Sequence, residues 1–358
     1  MKIDVIGHFG TTYSYATVGG RVARALDAAG LLASVTNLDP TWAKEYEDLS
    51  GRRVSGTHMI VFAAPRHYFD AFPTKYGRDR AAVFMSPNTD QLTGEYAETC
   101  SKFGVALVPS TYCEDVVRAT STPGEVVRLP LGVDRRYLDL RSRPHGVQRV
   151  IDVWHFASDQ WWPGRKGTQE LLQAFDFMDD RGLMALEARL HLHVPLALAT
   201  AAHYTVADMG LAHRIKVHVS ELHGSTDEEL IDCYSRADMV IQPSRCEGFG
   251  MMILAALVAG KPLVTTAVTG HRDFLLQMPG WVGVPTGGLA MLDAEGGRAP
   301  VVDAQSLAMT LAMAMTEDGM RVLLRGAQMA QSAAAKWTWD EVLPLWIEWA
   351  EQWLKETT

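Results

Sequence analysis

The sequence predicts an α/β protein of two domains, each a parallel sheet covered by helices. Three observations lead there. The chain has 358 residues, more than a single hydrophobic core usefully serves, so two domains of ordinary size are expected. Short β-branched runs alternate with longer stretches of helical periodicity, which is how strands and crossover helices read. The alternation is interrupted at Arg141-Ser142-Arg143-Pro144-His145-Gly146, a polar stretch with Pro and Gly that suits a domain junction.

The first unit runs from the strand Lys2–Gly7 through a break at Gly10-Thr11-Thr12. Val18, Val22, Ala25 and Leu26 then recur at helical spacing up to Gly30, a C-terminal stop. Strands are expected at Leu32–Asn37, His58–Ala63, Arg80–Met85, Val105–Val108 and Val126–Leu129. A helix is expected after Ser110, where Thr111 and Glu114 have capping-box spacing.

Beyond the junction the pattern restarts. It gives strands at Val150–Phe156, Arg189–Val194, Lys216–Val219, Met239–Gln242 and Pro262–Thr265. Helices are expected near Thr168–Met178, Asp227–Ala237 and Gly250–Ala259, the second introduced by Thr226 and Glu229 at capping-box spacing. Near the C-terminus Val342, Trp346, Trp349 and Trp353 share a helical face. The acidic opposite face, with Glu341, Glu348 and Glu351, favours packing on the protein over a membrane surface. The expected division is 1–145, 146–335, and a helix 336–358 returning to the N-terminal domain.

Composition narrows the function. Hydrophobic residues are 47% and charged residues 21%, ordinary globular usage. The N-terminal apolar run is too short for a secretory leader and no stretch is long enough to span a bilayer, so a cytoplasmic protein is expected. Cys100, Cys113, Cys233 and Cys246 stand singly, without zinc-site or disulfide spacing. The formal net charge of −9 opposes general attraction to nucleic acid or anionic lipid.

Two segments carry the chemistry. Pro243-Ser244-Arg245-Cys246-Glu247-Gly248-Phe249-Gly250 ends a strand and opens a helix, where free N–H groups and the positive dipole end favour phosphate or sugar hydroxyls. Gly248 and Gly250 allow close backbone approach, and Glu247 is a carboxylate able to accept from a sugar diol. Trp161-Trp162-Pro163-Gly164-Arg165-Lys166-Gly167-Thr168 places two cations at another strand-to-helix junction, a fork and a point charge suited to diphosphate. A capping Glu and a solvated Arg-Lys pair are the plainer alternatives for each segment taken alone.

Taken together, these segments resemble the GT-B fold, two Rossmann-like domains facing each other across a cleft, and within it the retaining glycosyltransferase family 4 (glycosyl transferases group 1). The resemblance rests on Arg165-Lys166-Gly167, Asp238-Met239-Val240-Ile241-Gln242-Pro243-Ser244, Glu247-Gly248-Phe249-Gly250 and Ala259-Gly260-Lys261-Pro262-Leu263-Val264. Gly20-Arg21-Val22, Asn88-Thr89-Asp90, Pro109-Ser110 and Leu129-Pro130-Leu131-Gly132-Val133-Asp134 follow the same order in the first half.

That resemblance implies a nucleotide diphosphate-sugar as substrate, no cofactor and no metal. By it Lys166 and Arg165 would neutralise the leaving diphosphate, Glu247 would grip sugar hydroxyls, and Gly10, Gly20, Gly248, Phe249 and Gly250 would line the donor. His67, Asp90 and Tyr15 are acceptor-side candidates. The group's second glutamate falls at Ala255, so another side chain holds the donor ribose, the donor carries a 2′-deoxynucleotide that needs less grip, or the chain binds without turnover. Its arginine after the first donor-domain strand is replaced by Ala157-Ser158-Asp159, leaving Arg165 as substitute. The acceptor is a small molecule, a glycan or a modified base in phage-type DNA.

Overall fold

A computed structural model describes residues 1–9, 14–51, 55–62, 75–92, 94–140, 150–157, 164–184, 186–220, 225–292 and 297–357. The chain divides into one unit of Met1–Gly132 with Trp339–Thr358 and a second of Val133–Thr338. The boundary thus falls ahead of Arg141-Ser142-Arg143-Pro144-His145-Gly146, which lies outside the described residues.

Unit 1 contains β1 (Ile3–Gly7), α1 (Ser14–Ala28), β2 (Leu32–Asn37), β3 (His58–Phe62), β4 (Ala81–Phe84), α2 (Gly94–Ser101), β5 (Val105–Val108), α3 (Thr111–Thr120) and β6 (Glu125–Arg128). All pairings in this sheet are parallel, in the order β2-β1-β3-β4-β5-β6. Strands β1, β3, β4 and β5 are buried along their whole length, and β4 and β5 accordingly read as continuous apolar runs. The α3 cap lies one residue earlier than the sequence suggested. Ser110, in extended conformation, accepts from the Cys113 N–H, while Glu114 is taken by Arg118.

The last helix of the chain also belongs to this unit. It spans Trp339–Glu356 and buries Trp339, Val342, Trp346, Trp353 and Leu354. Two of the buried indole N–H groups find carbonyls: Trp346 donates to Pro130 (3.0 Å) and Trp353 to Asp79 (3.1 Å). Trp349 stacks on Trp353 at 5.1 Å from the outer side, so the Trp stripe is a packing face. No described helix is long and apolar enough to cross a membrane.

Unit 2 contains β7 (Ile151–Phe156), α4 (Thr168–Asp180), β8 (Ala188–Pro195), α5 (Ala199–Asp208), β9 (Ile215–Ser220), α6 (Asp227–Arg236), β10 (Met239–Gln242), α7 (Met251–Val258), β11 (Leu263–Thr265) and β12 (Trp281–Gly283). It also has the hairpin β13 (Thr286–Leu292) and β14 (Gly297–Val302), helices α8 (Ala304–Ala314) and α9 (Glu317–Ala334), and a one-turn helix at Arg272–Leu275. Its six-stranded sheet is parallel, in the order β12-β11-β10-β7-β8-β9. Leu171 and Phe175 of α4, Leu307 and Leu311 of α8, and Val153 and Leu190 form part of one apolar core on one face. The α6 start is a complete capping box, Thr226 and Glu229 each taking the other's backbone N–H, at the two residues whose spacing announced it. Strand β12, the hairpin and helices α2, α5, α8 and α9 were not anticipated.

Two parallel sheets covered by helices are the α/β architecture the sequence led us to expect. Each has a switch point where successive connections leave in opposite directions: between β1 and β3 in unit 1, and between β7 and β10 in unit 2.

Candidate functional site

Open parallel sheets bind ligands at the carboxyl ends of strands beside the switch point. In unit 2 that places attention after Phe156 and Gln242. The β7–β10 ladder pairs Met239 with Val153 and Val240 with Trp154. Past it the Gln242 side chain takes over. Its amide donates to the Phe156 carbonyl (3.1 Å) and accepts from the Phe156 N–H (3.3 Å). A fully buried amide thus bridges the parting strands.

The loop after β7 arrives at α4 through Gly164-Arg165-Lys166-Gly167. Gly167 has a φ of +69°, and a Cβ there would lie 2.1 Å from the Pro243 carbonyl oxygen. The Arg245 N–H donates to the Arg165 carbonyl at 2.9 Å, so the two strand-to-helix loops are stitched backbone to backbone. Underneath, buried His155 joins the start of α4 to β10. It donates to the Ile241 carbonyl (2.9 Å) and pairs with the Thr168 hydroxyl (2.8 Å).

The charged groups meet on this scaffold. Lys166 Nζ donates to Glu247 Oε1 at 2.6 Å, Arg165 donates to Oε2 at 3.1 Å, and the Ser244 hydroxyl donates to Oε1 at 2.8 Å. The side chains of all three charged residues are at most 10% exposed. Burial pushes the Glu247 carboxyl upward, but the charges of Lys166 and Arg165 outweigh it and hold it down at about 2. The cluster lies beside the α7 N-terminus, where Gly250 is the N-cap with φ +92°. It is a ready site for an anion that also carries hydroxyls.

The other sequence candidates divide. Gly248 and Gly250 lie in the Glu247 turn, as expected. Phe249 is 3% exposed and packs on Phe274 (5.4 Å) and Trp337 (6.0 Å), so only its backbone is available to a ligand. Ala255 is a buried methyl within α7. Gly20 sits within α1, where a Cβ would come 2.3 Å from the Tyr46 ring, which gives the glycine a packing reason. Tyr15 accepts the Ser86 N–H at 3.2 Å and packs edge-on against Phe84. Asp90 is half-buried in the loop after β4. Gly10 and His67 lie outside the described residues. Sequence reasoning assigned no role to Ser244, Gln242, His155, Thr269 or His271. Their polarity inside apolar segments was the available signal.

Titration of the buried bracing residues gives the first prediction. Burial foremost lowers His155 and His271 from the usual 6.5 to about 4. Protonation therefore favours the unfolded chain. Their contribution is complete above pH 6.5 and is lost as pH falls from 6.5 toward 4, by up to ~1.4 kcal/mol per pH unit for each ring. Glu247, being depressed, adds a second loss as pH falls from 4.5 toward 2. Urea midpoints that stay level from pH 7 to 4.5 would contradict this assignment.

Residues 164–285 match the family described as Glycosyl transferases group 1, a stretch wholly within unit 2 that contains the Lys166–Glu247 pair. A D-inositol 3-phosphate glycosyltransferase of Corynebacterium urealyticum is 30% identical over 124 residues, 34% of this chain and 24% of the relative. The chain therefore spans well under two thirds of that relative's length. A glycosyltransferase structure from Rickettsia africae superposes with a TM-score of 0.69 at 13% identity, covering 99% of each chain. The Anabaena protein HepE, solved with UDP and glucose, gives 0.65 at 14% identity over 100% of this chain and 99% of its own. At such identities the likeness is one of fold. At the level of the group 1 family the resemblance read from the sequence is met by the match in unit 2, and at the level of fold by these structures.

Proposed function

We propose that this chain is a retaining glycosyltransferase of the glycosyltransferase family 4 type, acting in the cytoplasm on a nucleoside diphosphate-sugar and a hydroxyl acceptor without a metal or cofactor. The observation that carries the reading is the meeting of Lys166 and Glu247 at 2.6 Å from two strand-to-helix loops flanking the unit 2 switch point. Breaking the bond from the anomeric carbon to phosphate develops negative charge on the leaving group and positive charge on the sugar. Lys166, Arg165 and the first N–H groups of α7 are preorganised for the former, which lowers the barrier. These cations supply the charge stabilisation that a divalent ion provides elsewhere. The Glu247 carboxylate, released by a cation that turns to phosphate, accepts from the sugar diol. A leaving phosphate oxygen takes the acceptor's proton on the face of attack, which accounts for retention without a separate base.

A second reading, binding without turnover, is favoured by Ala255, whose buried methyl offers nothing to a ribose diol. Thermal-shift screening against nucleoside diphosphates tests the site. One base is expected to raise the melting temperature, with about 2.7 kcal/mol of stabilisation at a hundredfold excess over Kd. Silence from every nucleoside diphosphate would remove the proposal. Release of nucleoside diphosphate from a sugar donor would remove the second reading.

A further inference from the structure

The segment after β11 follows the Glu247 turn almost residue by residue. The Thr269 hydroxyl accepts the Glu247 N–H at 2.9 Å. The Gly270 N–H donates to the Glu247 carbonyl at 2.9 Å, and a Cβ on Gly270 would lie 1.9 Å from the Gly248 carbonyl oxygen. A Cβ on Gly250 would come 2.7 Å from the His271 Cβ. The chain of bonds then closes on the side chain. His271 Nε2 donates to the Thr266 carbonyl (2.9 Å), the Thr266 hydroxyl donates to the Ser244 carbonyl, and the Ser244 hydroxyl donates to Glu247 Oε1 (2.8 Å).

Thr269 is also the sole non-glycine residue with positive φ among the described residues, at 52°. A β-branched side chain in the left-handed region is strained and persists only where its surroundings hold it there. Here the hydrogen bond to Glu247 and the close packing of Gly270 on Gly248 hold it. Glycine at 269 would reach the same backbone without strain but without the hydroxyl.

We propose that Thr269-Gly270-His271 is a clasp that positions the Glu247 turn, and that Thr269 is its positioning residue, kept in a strained conformation because its hydroxyl fixes the Glu247 backbone. The inference rests on the reading of Glu247 as a donor-sugar ligand. Removing the hydroxyl releases the turn, and a shift of about an ångström in a reacting geometry costs on the order of 100-fold in rate.

The experiment compares Thr269→Gly, Thr269→Ala and Thr269→Ser by steady-state release of nucleoside diphosphate, thermal melting and amide hydrogen exchange at Glu247. The glycine variant is expected to melt at or above the wild-type temperature while kcat falls roughly 10- to 100-fold with little change in donor KM. The alanine variant loses both stability and kcat, and the serine variant keeps most of each. Exchange of the Glu247 amide speeds up in the glycine and alanine variants only. Wild-type kcat in the glycine variant, or a kcat that falls only in step with melting temperature, would overturn the positioning role. Unchanged Glu247 protection in the alanine variant would overturn the clasp even if no donor is turned over. A wild-type protein that releases nothing from any donor counts against the transferase reading alone.

Discussion

Lys166→Ala is expected to lower sugar transfer by about 100- to 1,000-fold while the protein still melts cooperatively, because it removes one preorganised donor from the leaving diphosphate. The same change disturbs the resting site. Breaking a fully buried ion pair commonly costs about 3–5 kcal/mol, since the surviving charge is stranded. Here the loss falls at the low end, because Arg165 (3.1 Å) and Ser244 (2.8 Å) still donate to the Glu247 carboxylate. The carboxyl rises from about 2 toward its ordinary value once the nearer cation is gone. Melting temperature and nucleoside diphosphate release, measured on one preparation, separate the two effects. Full activity in a folded Lys166→Ala protein would remove lysine from the chemistry.

Gly167→Ala is expected to cost about 3 kcal/mol or more and to abolish transfer. Two penalties add at this position. A left-handed φ of +69° costs a non-glycine residue about 1–2 kcal/mol. The added methyl must then displace the Pro243 carbonyl, only 2.1 Å from where it would sit. That carbonyl belongs to the loop carrying Glu247, so relief of the clash pries Lys166 from its partner. Gly182→Ala is the control. Its φ of +61° is similar, but a Cβ there meets nothing within 4 Å, so only the conformational cost should appear in urea denaturation. Equal losses in the two variants would show that backbone contact between the site loops has no energetic weight.

Several features of the molecule were legible because their causes are local. The Thr226–Glu229 capping box lies within one helical turn, and its spacing alone announced it. Buried parallel strands such as Val105–Val108 read as unbroken apolar runs. Lys166 and Glu247 could be placed at strand-to-helix junctions because each junction is a change of periodicity followed by glycine. The α3 cap was misplaced by one residue because Ser110 and Thr111 both suit the position, and only backbone conformation separates them. The β13–β14 hairpin gave little sign of itself, since its first strand has Gly287 and Gly288 right after Thr286 and lies largely exposed, without a buried alternation.

By itself, then, the sequence determined the two-sheet α/β class, the two loops that carry charge, and the glycines that let those loops turn. Strand order was decided only by the tertiary structure. It places β7 beside β10, so that His155 reaches the Ile241 carbonyl across 86 positions of chain and Lys166 reaches Glu247 across 81. The strained contact of Thr269 with Glu247 was decided the same way. Periodicity and capping express energies within a few residues. Which distant groups share a hydrogen bond depends on how whole sheets bury their faces, and that free energy is written in no single segment.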